Sequence, residues 1–159
     1  MQYDVKSTYA DASGLMVPYR TRLKGAALSS AVTSAGAAIF LNEATITGTY
    51  ARSTTTATIT AQNHGLTVYD YVYIDFAAGG PADGLYKVAT VTNSDVFTVT
   101  VANTGGTSGA ATIYNDVLAQ ATVSTVSSTN LVIPGEGILA ANGVRVVLSN
   151  SVTATIYYG

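Results

Sequence analysis

The chain has no cysteine, no tryptophan, one histidine and three prolines, and only 10% of its residues are charged. Each shortage closes off chemistry. Without cysteine there is no disulfide framework, thiolate metal site or Cys nucleophile. No cluster of Asp, Glu and His has zinc-ligand or EF-hand spacing. No serine sits in a Gly-x-Ser-x-Gly elbow, and no glycine-rich loop joins a strand to a helix as a phosphate cradle. No cofactor or metal is expected. Seven Lys and Arg stand against nine Asp and Glu, so there is no basic excess to neutralise phosphates, and nucleic-acid binding is not expected. No apolar stretch reaches the ~18 residues that span a bilayer. The opening Met1-Gln2-Tyr3-Asp4-Val5-Lys6 lacks a basic region followed by an apolar run. Neither a membrane span nor a signal peptide is expected, and synthesis and assembly in a cytoplasm are.

What is present points to β-structure. Thr, Val, Ala, Ser, Tyr and Gly dominate, and Thr, Val and Tyr suit half-buried pleated surfaces. The 159 residues suffice for one ordinary domain or two small ones. The charge content is far below the roughly 25% usual for soluble domains. Either much of the surface meets other subunits, or Ser and Thr do the solvating.

Residues 1–18 read as an extended arm or short edge strand containing the Asp11–Gly14 turn. From Tyr19 to Lys24 the chain alternates, with Tyr19, Thr21 and Leu23 on one face and Arg20, Arg22 and Lys24 on the other. Residues 25–36 are small and flexible in character; a helix over Ala26–Gly36 is weakened by Val32, Thr33 and the serines. Strands follow at Ala37–Asn42 and Thr45–Tyr50. The middle reads as a module with strands at Ala57–Ala61, Tyr69–Phe76, Leu85–Thr92 and Val96–Ala102, joined by turn-forming loops. A Gly/Thr/Ser linker, Asn103–Gly109, leads to Ala110–Tyr114. The C-terminal part carries strands at Val117–Val126, Asn130–Ile133, Ile138–Ala141, Val144–Leu148 and Val152–Tyr158. Asn142-Gly143 between two apolar segments predicts a hairpin. The expectation is an all-β fold: a small antiparallel sandwich or jelly roll, discontinuous over 1–44 and 115–159, with an inserted second β-module over 45–114.

The chemistry-bearing residues are few. His64, between Asn63 and Gly65, reads as a turn residue with its ring bonded to nearby backbone. Asp70, Asp75, Asp83, Asp95, Asp116, Glu43 and Glu136 are scattered near turns and on polar strand faces, which suits solvation and capping better than acid–base catalysis. Nothing points to an enzyme. Two surface groups stand out as candidate protein-interface residues. Arg20, Arg22 and Lys24 hold three of the seven basic residues on one strand face. They form either a solvated face or an electrostatic seam for an acidic neighbour. Tyr69, Tyr71 and Tyr73 share one face of the module's second strand, while Val72, Ile74 and Phe76 face a core with Phe97, Val99 and Val101. The tyrosines either look outward, where their broad faces and polar tips suit protein contacts and sugar stacking, or pack on the outer domain.

The pattern His64-Gly65-Leu66, Asp70, Val72, Asp83-Gly84-Leu85-Tyr86, Val88, Val91, Phe97-Thr98-Val99 resembles small β-modules in virion structural proteins of tailed bacteriophages. In that family a glycine usually precedes the aspartate; here Tyr69 stands there. The outer segments are similar to small structural proteins of marine phages of the cyanophage kind. The similar residues are Tyr19-Arg20-Thr21-Arg22-Leu23-Lys24-Gly25, Ile133-Pro134-Gly135-Glu136-Gly137-Ile138-Leu139, Asn142-Gly143-Val144 and Ile156-Tyr157-Tyr158-Gly159. The resemblance implies a virion component that contacts a major capsid or tail protein and forms homo-oligomers. It carries over no catalytic residue. The expected role is capsid decoration or cement in many copies, with a tail- or fibre-associated adhesin binding host-surface glycan as the alternative.

Overall fold

A computed structural model describes residues 5–31 and 33–159; the first four residues of the N-terminal arm, and Val32, lie outside the described residues. All regular structure among them is β. The N-terminal part supplies β1 (Lys6–Ala10), β2 (Gly14–Val17), β3 (Thr21–Ser30) and β4 (Gly36–Asn42). The middle supplies β5 (Ile46–Ser53), β6 (Thr56–Thr60), β7 (Tyr71–Phe76), β8 (Gly84–Asn93), β9 (Val96–Thr100) and β10 (Ser108–Tyr114). The C-terminal part supplies β11 (Val117–Val123), β12 (Ser127–Val132), β13 (Ile138–Ala140), β14 (Val144–Leu148) and β15 (Val152–Tyr158). The chain divides into two compact units, one built from residues up to Glu43 together with Val117–Gly159, the other from Ala44–Asp116.

The first unit is a sandwich of two antiparallel sheets. One runs β1-β15-β3-β12, with β13 also on β3; the other runs β11-β4-β14-β2. Period-two patterning explains the packing. In β15, Val152, Ala154 and Ile156 are buried while the residues between them reach the surface. They meet Leu23, Ala26 and Leu28 of β3, and Phe40, Val144 and Val146 of the facing sheet, in a single apolar core.

Two expectations fail here for physical reasons. The small residues from Gly25 onward are not a flexible connector: β3 runs unbroken to Ser30 and is flanked by β12 and β15. Small side chains let neighbours close in, and a Cβ on Gly25 would stand 2.5 Å from the Leu131 carbonyl oxygen. Nor does Asn142-Gly143 close a hairpin. β13 pairs with β3, whereas β14 pairs with β2 and β4 in the other sheet. The turn carries the chain across the sandwich, and only its Gly143 has positive φ, at 115°. The paired positive-φ residues of a type I′ turn are therefore missing. The segment expected as an extended arm or short edge strand supplies two edge strands, β1 and β2, which serve different sheets on either side of the Asp11–Gly14 turn.

The second unit is a closed six-stranded antiparallel barrel, β10-β5-β6-β9-β8-β7, in which β10 returns to pair with β7. Closure leaves no free edge. Its interior is a separate core in which Val72, Ile74, Phe76, Phe97, Val99 and Val101 join Ile59, Val88 and Ile113, as their alternation predicted. Ile46 of β5 pairs with Ile113 of β10, so the strands by which the chain enters and leaves the barrel lie side by side.

Candidate functional site

His64 is 1% exposed and holds three segments of the barrel together. Its Nδ1 accepts from the Leu66 amide at 3.0 Å, so the ring proton sits on Nε2, which donates to the Asn93 carbonyl at 3.1 Å. The His64 carbonyl accepts from Asn115 Nδ2 at 2.9 Å. The ring packs edge-on against Phe97 at 4.9 Å between centroids. Both ring nitrogens are occupied by backbone, so this histidine is a latch between loops.

The carboxylates are mostly engaged in turns or pairing. Asp70 accepts from the Thr67 amide at 2.7 Å and its hydroxyl at 2.9 Å. Asp83 accepts from the Phe76 amide at 2.8 Å, and Asp95 from the Asn63 amide at 2.9 Å. Glu43 takes a two-pronged bond from Arg145, at 2.6 and 2.8 Å. Among the described residues, no three of His, Asp and Glu gather in a way that could hold a metal ion.

The basic stretch is less open than its sequence suggests. Arg20 precedes β3 and is exposed. Arg22 and Lys24 share a face of the strand, but each bends to the Pro134–Gly137 turn. Arg22 Nη1 donates to the Gly137 carbonyl at 3.1 Å, and Lys24 Nζ to the Glu136 carbonyl at 2.7 Å. Both are half-buried. Their stems and hydrogen bonds brace this turn against β3.

The three tyrosines separate. Tyr73 does not look outward: it is 9% exposed, opposite Tyr114 across the β7–β10 pair, with the rings edge-on at 5.9 Å. Burial first, then the nearby Asp83 and Asp75 carboxylates, push its phenol up to about 12. Burial and Asp83 raise the Tyr86 phenol as well, and its hydroxyl donates to the Ala82 carbonyl.

Tyr71 and Tyr69 do face solvent, at 55% and 70% exposure. Tyr69 is not part of the strand. It lies in the loop before β7 with φ at 78°, in the left-handed region that bulky residues avoid. That conformation is held by the Tyr69 amide donating to the Val88 carbonyl at 3.0 Å and the Asp70 amide to the Thr67 carbonyl at 3.2 Å. Lys87, directly opposite Tyr71 in the β7–β8 register, places its ammonium 4.6 Å from the centroid of the Tyr69 ring. Tyr69, Tyr71, Leu85, Tyr86, Lys87 and Thr100 line an open groove of about 530 Å³ on the barrel. Sequence reasoning missed Lys87. Its place beside the tyrosines depends on the strand register, which the residues of β8 do not announce.

No protein-family model matches the chain, and no curated protein matches it. Similar solved structures include two phage proteins. Phage phi92 endosialidase is 22% identical, with a TM-score of 0.33, over 81% of this chain and 20% of that one. The chain thus spans about a fifth of that protein's length. VP17, a capsid protein of bacteriophage P23-77, is 7% identical, with a TM-score of 0.31, over 97% of each chain. At these scores neither likeness bears on function.

Proposed function

We propose that the chain is a non-enzymatic structural component of a bacteriophage virion, present in many copies and most suited to decorating or cementing the capsid. The observation that carries this reading is the construction itself. A barrel with its own core is inserted into a sandwich with its own core through two adjacent strands. Each unit has a core of its own, so attachment and ligand contact can be divided between them. The charge-poor composition and the motif resemblance to virion proteins support the same reading. In this role the sandwich docks on a major capsid or tail protein or on further copies of the chain. Arg20 would bring charge to that contact, and Arg22 and Lys24 would shape the turn beside it. Repetition on a symmetric particle lets weak single contacts hold.

The exposed Tyr69–Tyr71–Lys87 groove favours a second reading, a tail- or fibre-associated adhesin. Immunogold labelling of virions, with a deletion of the gene, tests both. Decoration predicts label over the capsid and particles that lose resistance to heat or osmotic shock. Label on the tail, with intact capsids and lost adsorption, selects the adhesin. Virions free of the protein overturn the proposal.

A further inference from the structure

We propose that the groove formed by Tyr69, Tyr71 and Lys87 is a binding site for an acidic saccharide, one whose sugar rings carry carboxylates. The assignment names the ligand class of the groove behind the adhesin reading and rests on that reading, but it is argued from the barrel alone. Two aromatic side chains are exposed at the surface, Tyr69 with the Lys87 ammonium over its ring. Tyrosine offers a flat apolar face to the C–H bonds of a sugar and a hydroxyl to its polar rim, at little entropy cost. One of the two is presented at the expense of backbone strain. A bulky residue at φ 78° is an outlier, and such strain persists where the surrounding structure enforces it, frequently at ligand sites. Here the enforcement is visible in the Asp70–Thr67 turn and in the bond from Tyr69 to Val88.

Charge complementarity selects the ligand. Lys87 is the groove's cation, and among the described residues no carboxylate lies within ion-pair distance of its ammonium. Its packing on the Tyr69 ring keeps the ammonium at the groove, where a ligand carboxylate would meet it. A nucleic acid would call for several cations tracking its backbone, and the groove has one. An open groove of this size accommodates a few sugar rings.

The test is titration of the whole protein, followed by NMR shifts of tyrosine and Lys87 resonances, with oligogalacturonate and hyaluronate oligosaccharides. A neutral cello-oligosaccharide is the comparison. The expected result is binding of an acidic oligosaccharide with shifts confined to the groove. Tyr71→Ala should weaken it by about tenfold or more, Tyr71→Phe should restore most of it, and Lys87→Gln should remove the preference for acidic over neutral sugar. Tyr69→Gly relieves the backbone strain, so it should unfold no more easily than the parent while binding about tenfold more weakly. The proposal is overturned if neither acidic oligosaccharide binds at millimolar concentration, if Tyr71→Ala and Tyr69→Gly bind as the parent does, or if neutral sugar binds equally well. Should these variants instead impair attachment to virions with no sugar bound, the groove is a protein contact.

Discussion

At the scale of single residues, the barrel treats its polar aromatics in opposite ways. His64 and Tyr73 are buried and immobilised, whereas Tyr69 and Tyr71 are left in water. Tyr73 makes the distinction measurable. Its phenol has an ordinary value of 10.0 and stands at about 12 in the fold. A raised acid favours the native state fully while the pH is below the unfolded value. Above that value the unfolded chain sheds the proton and the native one retains it, so the contribution is lost as pH rises from about 10 to about 12. Chemical denaturation at about pH 9 and about pH 11.5 should show the parent losing about 1–2 kcal/mol more than Tyr73→Phe across that interval, allowing for solvent screening. Parallel losses in the two proteins would mean that Tyr73 titrates as an open phenol.

At the scale of elements, the crossing from β13 to β14 shows how one residue routes a chain. Gly143 holds φ at 115°, and a Cβ there would lie 2.2 Å from the Val17 carbonyl oxygen, which is backbone. The turn is clamped to the end of β4. The Asn142 amide donates to Asn42 Oδ1 at 2.9 Å, the Glu43 amide donates to the Gly143 carbonyl at 3.1 Å, and the Arg145–Glu43 pair closes beside them. Gly143→Ala should therefore cost on the order of 2–3 kcal/mol in unfolding free energy, since neither the conformation nor the carbonyl can yield cheaply. Gly135→Ala is the comparison. It shares positive φ, at 68°, but a Cβ there meets nothing within 4 Å, so about 1 kcal/mol is expected. Equal losses would place the whole penalty in the backbone angle and none in the contact with Val17.

At the scale of the whole molecule, two cores sit on one chain with no shared residue. Because Ile46 and Ile113 are directly paired, the ends of the inserted barrel are separated by about one strand spacing, near 5 Å. Expressed alone, residues 44–116 should fold and unfold cooperatively. A chain in which they are replaced by a short Gly/Ser linker should keep the sandwich, because closing a short loop between adjacent ends adds little entropic cost. Circular dichroism and calorimetry of both pieces would check this. An excised barrel without a cooperative transition would show that it depends on the sandwich.

Period-two alternation was legible in β6, β7, β9 and β15, and with it the barrel's inward face from Val72 to Val101, because alternation follows from strand geometry whatever the partner. Turn chemistry placed His64 against backbone for the same local reason. What the residues could not decide was pairing. The separation of β13 from β14, the central position of β3, the burial of Tyr73 by Tyr114 and the meeting of Lys87 with Tyr69 and Tyr71 all depend on which strand lies beside which. Neighbour choice in a sheet is settled by contacts between residues far apart in the chain. Local sequence therefore determined that this is a β-protein and which faces are apolar, and only the tertiary register brought the groove together.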